Sequence, residues 1–162
     1  MMKTQNRRRN RLIKIKRNDV YTDTKKLPEP AVCIKCNSVF SNGRWAWTEM
    51  KNGNKIYKTI CPACKRIADK YPAGIIKLNG PFLSKHFTEI KNLLYNVEKL
   101  EKNERPLERI ISVEKTSGET VITTTGIHIA RRIGEALFQA YSGDYSFKYG
   151  DDEKSIRVSW AR

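Results

Sequence analysis

Four cysteines constrain this chain more than any other feature. Cys33 and Cys36 form one Cys-x-x-Cys pair, Cys61 and Cys64 form a second, and 24 residues lie between the pairs. Two thiolate knuckles at this spacing close a tetrahedron around a single metal ion. Protein sulfur then fills all four positions, so no water or substrate reaches the ion, and the site is expected to be structural. Such an ion supplies folding energy that the short segment 31–74 can hardly raise from a core of its own.

The pattern predicts a zinc ribbon with Cys33, Cys36, Cys61 and Cys64 as the ligands of one Zn2+. A rubredoxin-type iron site uses similar pairs, but its knuckles usually carry glycine after each pair. Here Asn37 and Lys65 occupy those places, and the surrounding module is basic rather than acidic. Thioredoxin-like chemistry needs one pair at a helix start rather than two matched pairs. No cysteine is left over for a disulfide, which suits metal in a reducing cytosol.

The charge comes next. The chain has 162 residues, with 32 Lys/Arg against 17 Asp/Glu, for a net +15. A balance this basic implies an anionic partner, with nucleic acid ahead of lipid. The excess is unevenly placed. Residues 1–30 hold 10 basic and 3 acidic side chains, residues 31–74 hold 8 and 2, and residues 75–162 hold 14 and 12. The first half is therefore expected to meet the anion and the second half to be a folded body.

Three regions follow. Residues 1–30 read as a basic arm and linker. The run from Arg7 to Arg17 has little to bury, and its like charges repel, so it is expected to be disordered alone and to order along phosphates. Arg7, Arg8, Arg9 and Arg11, followed by Lys14, Lys16 and Arg17, are its candidate RNA contacts. The segment lacks the apolar core of a secretory signal, and no apolar run approaches the ~18 residues of a membrane span. A cytoplasmic protein without a membrane role is the expectation.

Residues 31–74 form the cysteine module. Phe40, Trp45, Trp47, Ile56, Tyr57 and Ile60 predict short strands, turned at Asn42-Gly43 and Asn52-Gly53. Lys65 to Tyr71 predicts one or two helical turns stopped by Pro72. The Trp-Ala-Trp alternation puts both tryptophans on one face, either to pack over the metal site or to stack on bases. Arg44, Lys51, Lys55 and Lys58, with Lys65 and Arg66, are the candidate RNA contacts of this module.

Residues 75–162 predict a body of order β-α-β-β-α-β-β, a split βαβ-type α+β fold with two helices on an antiparallel sheet. Ile75, Ile76 and Leu78 give the first strand. Leu83, Phe87, Ile90, Leu94 and Val97 recur at helical steps and predict one helix ended by Arg105-Pro106. Leu107–Glu114 and Glu119–Thr125 predict two strands turned at Ser117-Gly118. Ile129, Ile133, Leu137 and Ala140 mark the second helix, and Tyr145–Tyr149 and Ile156–Trp160 the last two strands. Thr124 or Thr125 is expected to cap the second helix. Its free N–H groups, with His128, Arg131 and Arg132 nearby, predict a phosphate site. No nucleophile–base set accompanies His86 or His128, so neither an enzyme nor a small-molecule substrate is expected.

The blocks CxxC, RWAW, CPACKRIADKYPAG, LNGPFL, RPLERI, TTTGIHIARRIGEAL and VSWAR carry a resemblance, which runs from about residue 17 to the end. They look like a small bacterial zinc-ribbon family of unknown function. The ribbon-plus-α/β layout is more distantly similar to the Nmd adaptor family, which binds the large ribosomal subunit on its interface side. That family carries more Cys pairs than the two here. The resemblance implies a ribosome-directed role: a monomeric protein that binds ribosomal RNA at the interface or tRNA-site side and silences or protects idle ribosomes under stress. A late assembly or quality-control factor, a DNA-binding regulator and an adaptor for an acidic protein are the alternatives.

Overall fold

The computed structural model describes residues 20–21, 25–51, 53 and 55–162. The arm residues from Arg7 to Arg17, and Asn52 of the second expected turn, lie outside the described residues.

Four three-residue strands build a small sheet: β1 (Ala31–Cys33), β2 (Val39–Ser41), β3 (Arg44–Ala46) and β4 (Tyr57–Thr59), in the order β3-β2-β1-β4. The β2–β3 hairpin turns on Asn42 and Gly43, both at positive φ, as a two-residue turn with the right twist requires. The Glu29 carboxylate accepts from both turn amides, at 2.8 Å from Asn42 N and 3.2 Å from Gly43 N. Strand β4 runs parallel to β1, with Cys33 opposite Thr59, which delivers the chain to Cys61 two residues later. Helix α1 (Pro62–Asp69) begins at once, with Cys61 as its N-cap and Pro62 in its first turn. The helix is longer than the sequence pattern suggests, because its first turn is the second knuckle itself.

The larger sheet contains β5 (Gly74–Asn79), β6 (Ile110–Thr116), β7 (Glu119–Thr124), β8 (Asp144–Tyr149) and β9 (Ile156–Ala161), in the order β6-β7-β5-β9-β8. One face is covered by α3 (Phe87–Glu104) and α4 (Ile127–Tyr141), with the short α2 (Pro81–Lys85) at its end. The alternating burial of β5, β7 and β9 shows the period of a sheet packed on one side. Ile76, Leu78, Ile122, Ile156, Val158 and Trp160 meet Ile90, Leu94, Ile129, Ile133 and Leu137 in one closed core.

Three features differ from the sequence expectation. The sheet is mixed rather than antiparallel, because β5 and β9 pair in parallel at its centre. The expected single helix over 83–97 is two, since the backbone leaves helical geometry at His86 (φ −118°, ψ 22°). The strand expected from Leu107 begins only at Ile110. Residues 107–109 instead form a non-strand segment that runs against the cysteine cluster, and that segment shapes the site.

Candidate metal centre

The first knuckle is a tight turn after β1. Asn37 N donates to Cys33 O at 2.8 Å and Cys33 N donates to Ser38 O at 2.9 Å. Asn37 takes the left-handed conformation there (φ 65°). Asparagine tolerates that region better than most residues. In the second knuckle, Cys64 N points to Cys61 Sγ at 3.4 Å and Lys65 N donates to Cys61 O at 3.1 Å. Cys61 N points across to Cys33 Sγ at 3.3 Å, tying the knuckles together.

These turns gather Cys33, Cys36, Cys61 and Cys64 so that their Sγ atoms all lie within 4.8 Å of one another. Cys36 Sγ and Cys61 Sγ are 3.7 Å apart. A tetrahedral ion with metal–sulfur bonds of about 2.3 Å needs sulfur–sulfur edges of about 3.8 Å, so the cluster fits a four-thiolate ion. The cysteines are not disulfide-bonded. Cys33 and Cys61 are fully buried, whereas Cys36 and Cys64 reach the edge of the cluster.

The cluster is closed from the body. Leu107 packs against it from one side and Trp45 from the ribbon side. Arg109, buried at 6% exposure, points its guanidinium at the sulfurs. Nη2 lies 3.1 Å from Cys36 Sγ and Nη1 lies 3.2 Å from Cys64 Sγ, while Nε donates to Pro106 O at 2.7 Å. Burial raises the Cys36 thiol pKa, but hydrogen bonds from Ser38 and Arg109 outweigh it and bring the group to about 6. Burial pushes Cys61 and Cys64 up. Arg109 is itself held above its ordinary value: burial opposes its charge, and the hydrogen bonds to Cys36 and Cys64 prevail. A thiolate beside a fixed cation is the arrangement a metal ligand needs.

The two tryptophans of the Trp-Ala-Trp run differ: Trp45 is half-buried, whereas Trp47 is held by its indole N–H and stays 40% exposed. Trp45 lies against Phe40 (5.4 Å between centroids) and the cysteine cluster. Trp47 donates Nε1–H to Lys102 O at 2.7 Å, and its ring lies 6.0 Å from the Arg109 guanidinium carbon.

The basic candidates divide by location. Arg44, Lys51, Lys55 and Lys58 are exposed on the ribbon, and none forms an ion pair with a described residue. Lys65 is half-buried. Arg66 is buried, donating to Tyr71 O at 3.3 Å and lying 4.5 Å from the Tyr21 ring centroid.

The start of α4 departs from expectation. Gly126 is its N-cap, without a side-chain cap. The Glu108 carboxylate, at 8% exposure, reaches the helix start instead, and Oε2 accepts from Ile129 N at 2.9 Å. A Cβ on Gly126 would stand 2.1 Å from that carboxylate oxygen. An acidic side chain thus stands at the helix start, where the sequence pattern predicts a phosphate. Thr124 and Thr125 are buried, with their hydroxyls donating to Gly126 O at 2.8 Å and to Leu107 O at 2.6 Å. Arg131 pairs with Glu135 at 3.0 Å, and Arg132 pairs with Glu101 at 3.1 Å. His128 is exposed in the first turn.

Sequence reasoning missed Arg109 and Glu108. One signal was present: a strand over 107–114 would put Arg109 in phase with Leu107, Ile111 and Val113. A cation on an apolar phase argues against a strand there. No helix among the described residues is long and apolar enough to cross a membrane. Compared with protein-family models, curated proteins and solved structures, the chain has no significant match.

Proposed function

We propose that this chain is a zinc-ribbon protein that binds ribosomal RNA, on the interface or tRNA-site side of the large subunit, and holds idle ribosomes inactive under stress. The observation that carries the reading is the exposed cation set Arg44, Lys51, Lys55 and Lys58, uncompensated among the described residues and displayed on a module pinned by four cysteines. A fixed basic surface on a chain of net +15 suits a phosphate backbone. The four thiolates would hold one Zn2+, which ties the knuckles together and supplies no reactive position. Leu107 and Trp45 pack on the cysteine cluster, and Arg109 offsets the charge of the thiolates. Resemblance to the Nmd adaptor family supplies the ribosome as the specific target.

Sucrose-gradient profiles of the tagged protein from growing and starved cells test this reading, with metal analysis of the purified chain alongside. Comigration with ribosomes or large subunits is expected, enriched on starvation and lost with added salt and with reversal of the four ribbon cations to Glu. A protein that stays at the top of the gradient in both states, or that carries iron rather than zinc, contradicts the respective half of the proposal.

A further inference from the structure

The face of the larger sheet opposite α3 and α4 carries its own charge pattern. Registers across β8, β9 and β5 set Lys148 directly opposite Arg157, Arg157 beside Ile75, and Lys77 beside Ser159. Lys77, Lys148 and Arg157 therefore stand on one face of three adjacent strands. All three are exposed, and none forms an ion pair with a described residue. They line a shallow groove of about 450 Å³, with Ser146 and Ser159 offering hydroxyls and Ile75 an apolar wall. With strands about 4.8 Å apart, the cations span roughly 10 Å across the sheet.

Like charges directly opposite on a sheet cost stability. The arginines of α4 are neutralised by Glu101 and Glu135, so this body has the acids to pair its cations and withholds them here. Across the same face the charge reverses, with Glu114 on β6 and Glu119 on β7, while Asp144 sits at the far end of β8. By strand alternation this face presents no aromatic side chain: Phe147, which borders the groove, belongs to the helix-side set of β8 and its ring lies 4.8 Å from the Arg131 guanidinium carbon. The face lacks the stacking platform that reads bases and has only the cations and hydroxyls that grip a backbone.

We infer that the β5–β9–β8 half of the open sheet face, through Lys77, Lys148 and Arg157, is a second RNA site that binds a run of phosphates without regard to sequence. This rests on the RNA-binding reading above and relocates the body's contribution from the α4 start, which Glu108 occupies, to the sheet.

The test uses the full chain and fluorescent RNA oligonucleotides of two unrelated sequences, titrated over a range of salt. K77E/K148E/R157E is expected to lose about tenfold or more in affinity for both. Its log–log salt slope should fall by about 2, near 0.7 per lost single-strand phosphate contact. K85E/K91E/K99E, which reverses three exposed cations on the helix side, is expected to bind close to wild type. Lys148→Glu alone is expected to weaken binding while leaving Tm unchanged or raised, since it places an acid opposite Arg157; a role in folding would instead lower Tm along with binding. Equal losses in the sheet and helix-side variants, or wild-type binding by the sheet variant while the ribbon variant loses it, would overturn the site and leave the ribbon reading standing. A wild-type chain without RNA affinity overturns both readings. Tighter sheet-dependent binding of polyglutamate or anionic vesicles than of RNA overturns the choice of occupant.

Discussion

The guanidinium of Arg109 and the thiol of Cys36 meet at 3.1 Å although 73 residues separate them in sequence. Four thiolates around a divalent ion carry a net charge of −2, and Arg109 is the buried cation that faces them. It belongs to the body while the sulfurs belong to the ribbon, so charge compensation and docking of the two parts are one contact. Hydrogen bonds to ligand sulfurs commonly change metal affinity by about 10–100-fold. Arg109→Ala is therefore expected to speed metal loss to a chromogenic chelator by at least about tenfold. Arg109→Lys should be intermediate, because a point charge cannot bridge Cys36 and Cys64 as the planar fork does. Release at the wild-type rate in both variants would show that the contact does not tune the site.

Cys61→Ser tests the other side of the same junction. Cys61 is fully buried, caps α1 and lies 3.7 Å from Cys36 Sγ; serine is itself a good N-cap, so the change removes a thiolate ligand while sparing the helix start. The body's core contains no ribbon residue. Thermal unfolding should then lose the ribbon's contribution while a cooperative transition from the body persists, and metal content should fall well below one ion per chain. A Cys61→Ser chain that still holds one ion would refute the four-cysteine set.

Local rules made most of this molecule legible. Cysteine spacing, the Asn42-Gly43 turn and the 3.6- and 2-residue periods need only near neighbours, and the elements they predict are present apart from the helix break at His86 and the later start of β6 at Ile110. Pairing choices are not local. Nothing near Ile75 or Arg157 in sequence says that β5 and β9 run parallel, so local pattern alone predicts an antiparallel sheet. The site was half legible for the same reason. Its ligands announce themselves by spacing, but Arg109 and Glu108 act on partners 45 and 21 residues away. The α4 start looks like an open anion site until the distant carboxylate that stands there is seen.

Gly134 marks the closest approach of α4 to the sheet. A Cβ there would lie 2.5 Å from Tyr145 Cε2 and 2.7 Å from Val158 Cγ1, and neither neighbour is the free end of a flexible chain. Alanine gains up to about 1 kcal/mol of helix propensity over glycine. Overpacking of this kind costs about 1–3 kcal/mol and should prevail. Gly134→Ala is expected to lower stability by about 1–2 kcal/mol in urea unfolding. A stabilised variant would mean that helix and strand separate freely.

Glu108 allows a pH prediction whose sign is opposite to that of an ordinary paired carboxylate. Burial raises its pKa above the ordinary 4.5, and the Ile129 amide, His128 and Arg105 only partly counter this, with Glu101 adding to the rise. A carboxyl that holds its proton more tightly when folded favours the fold at low pH. That advantage is lost as pH climbs from the unfolded value through the raised folded one, and the deficit is constant above it. Glu108→Gln keeps an acceptor for Ile129 N but has no proton to lose. Its stability relative to wild type should therefore rise over that window and then level off, as measured by urea unfolding from pH 4 to pH 8. Glu108→Ala, which strands a buried N–H, should instead be destabilised by about 1–3 kcal/mol at the acid end of the range. A Gln variant whose relative stability falls with pH would mean that the helix start stabilises the carboxylate by more than burial costs it.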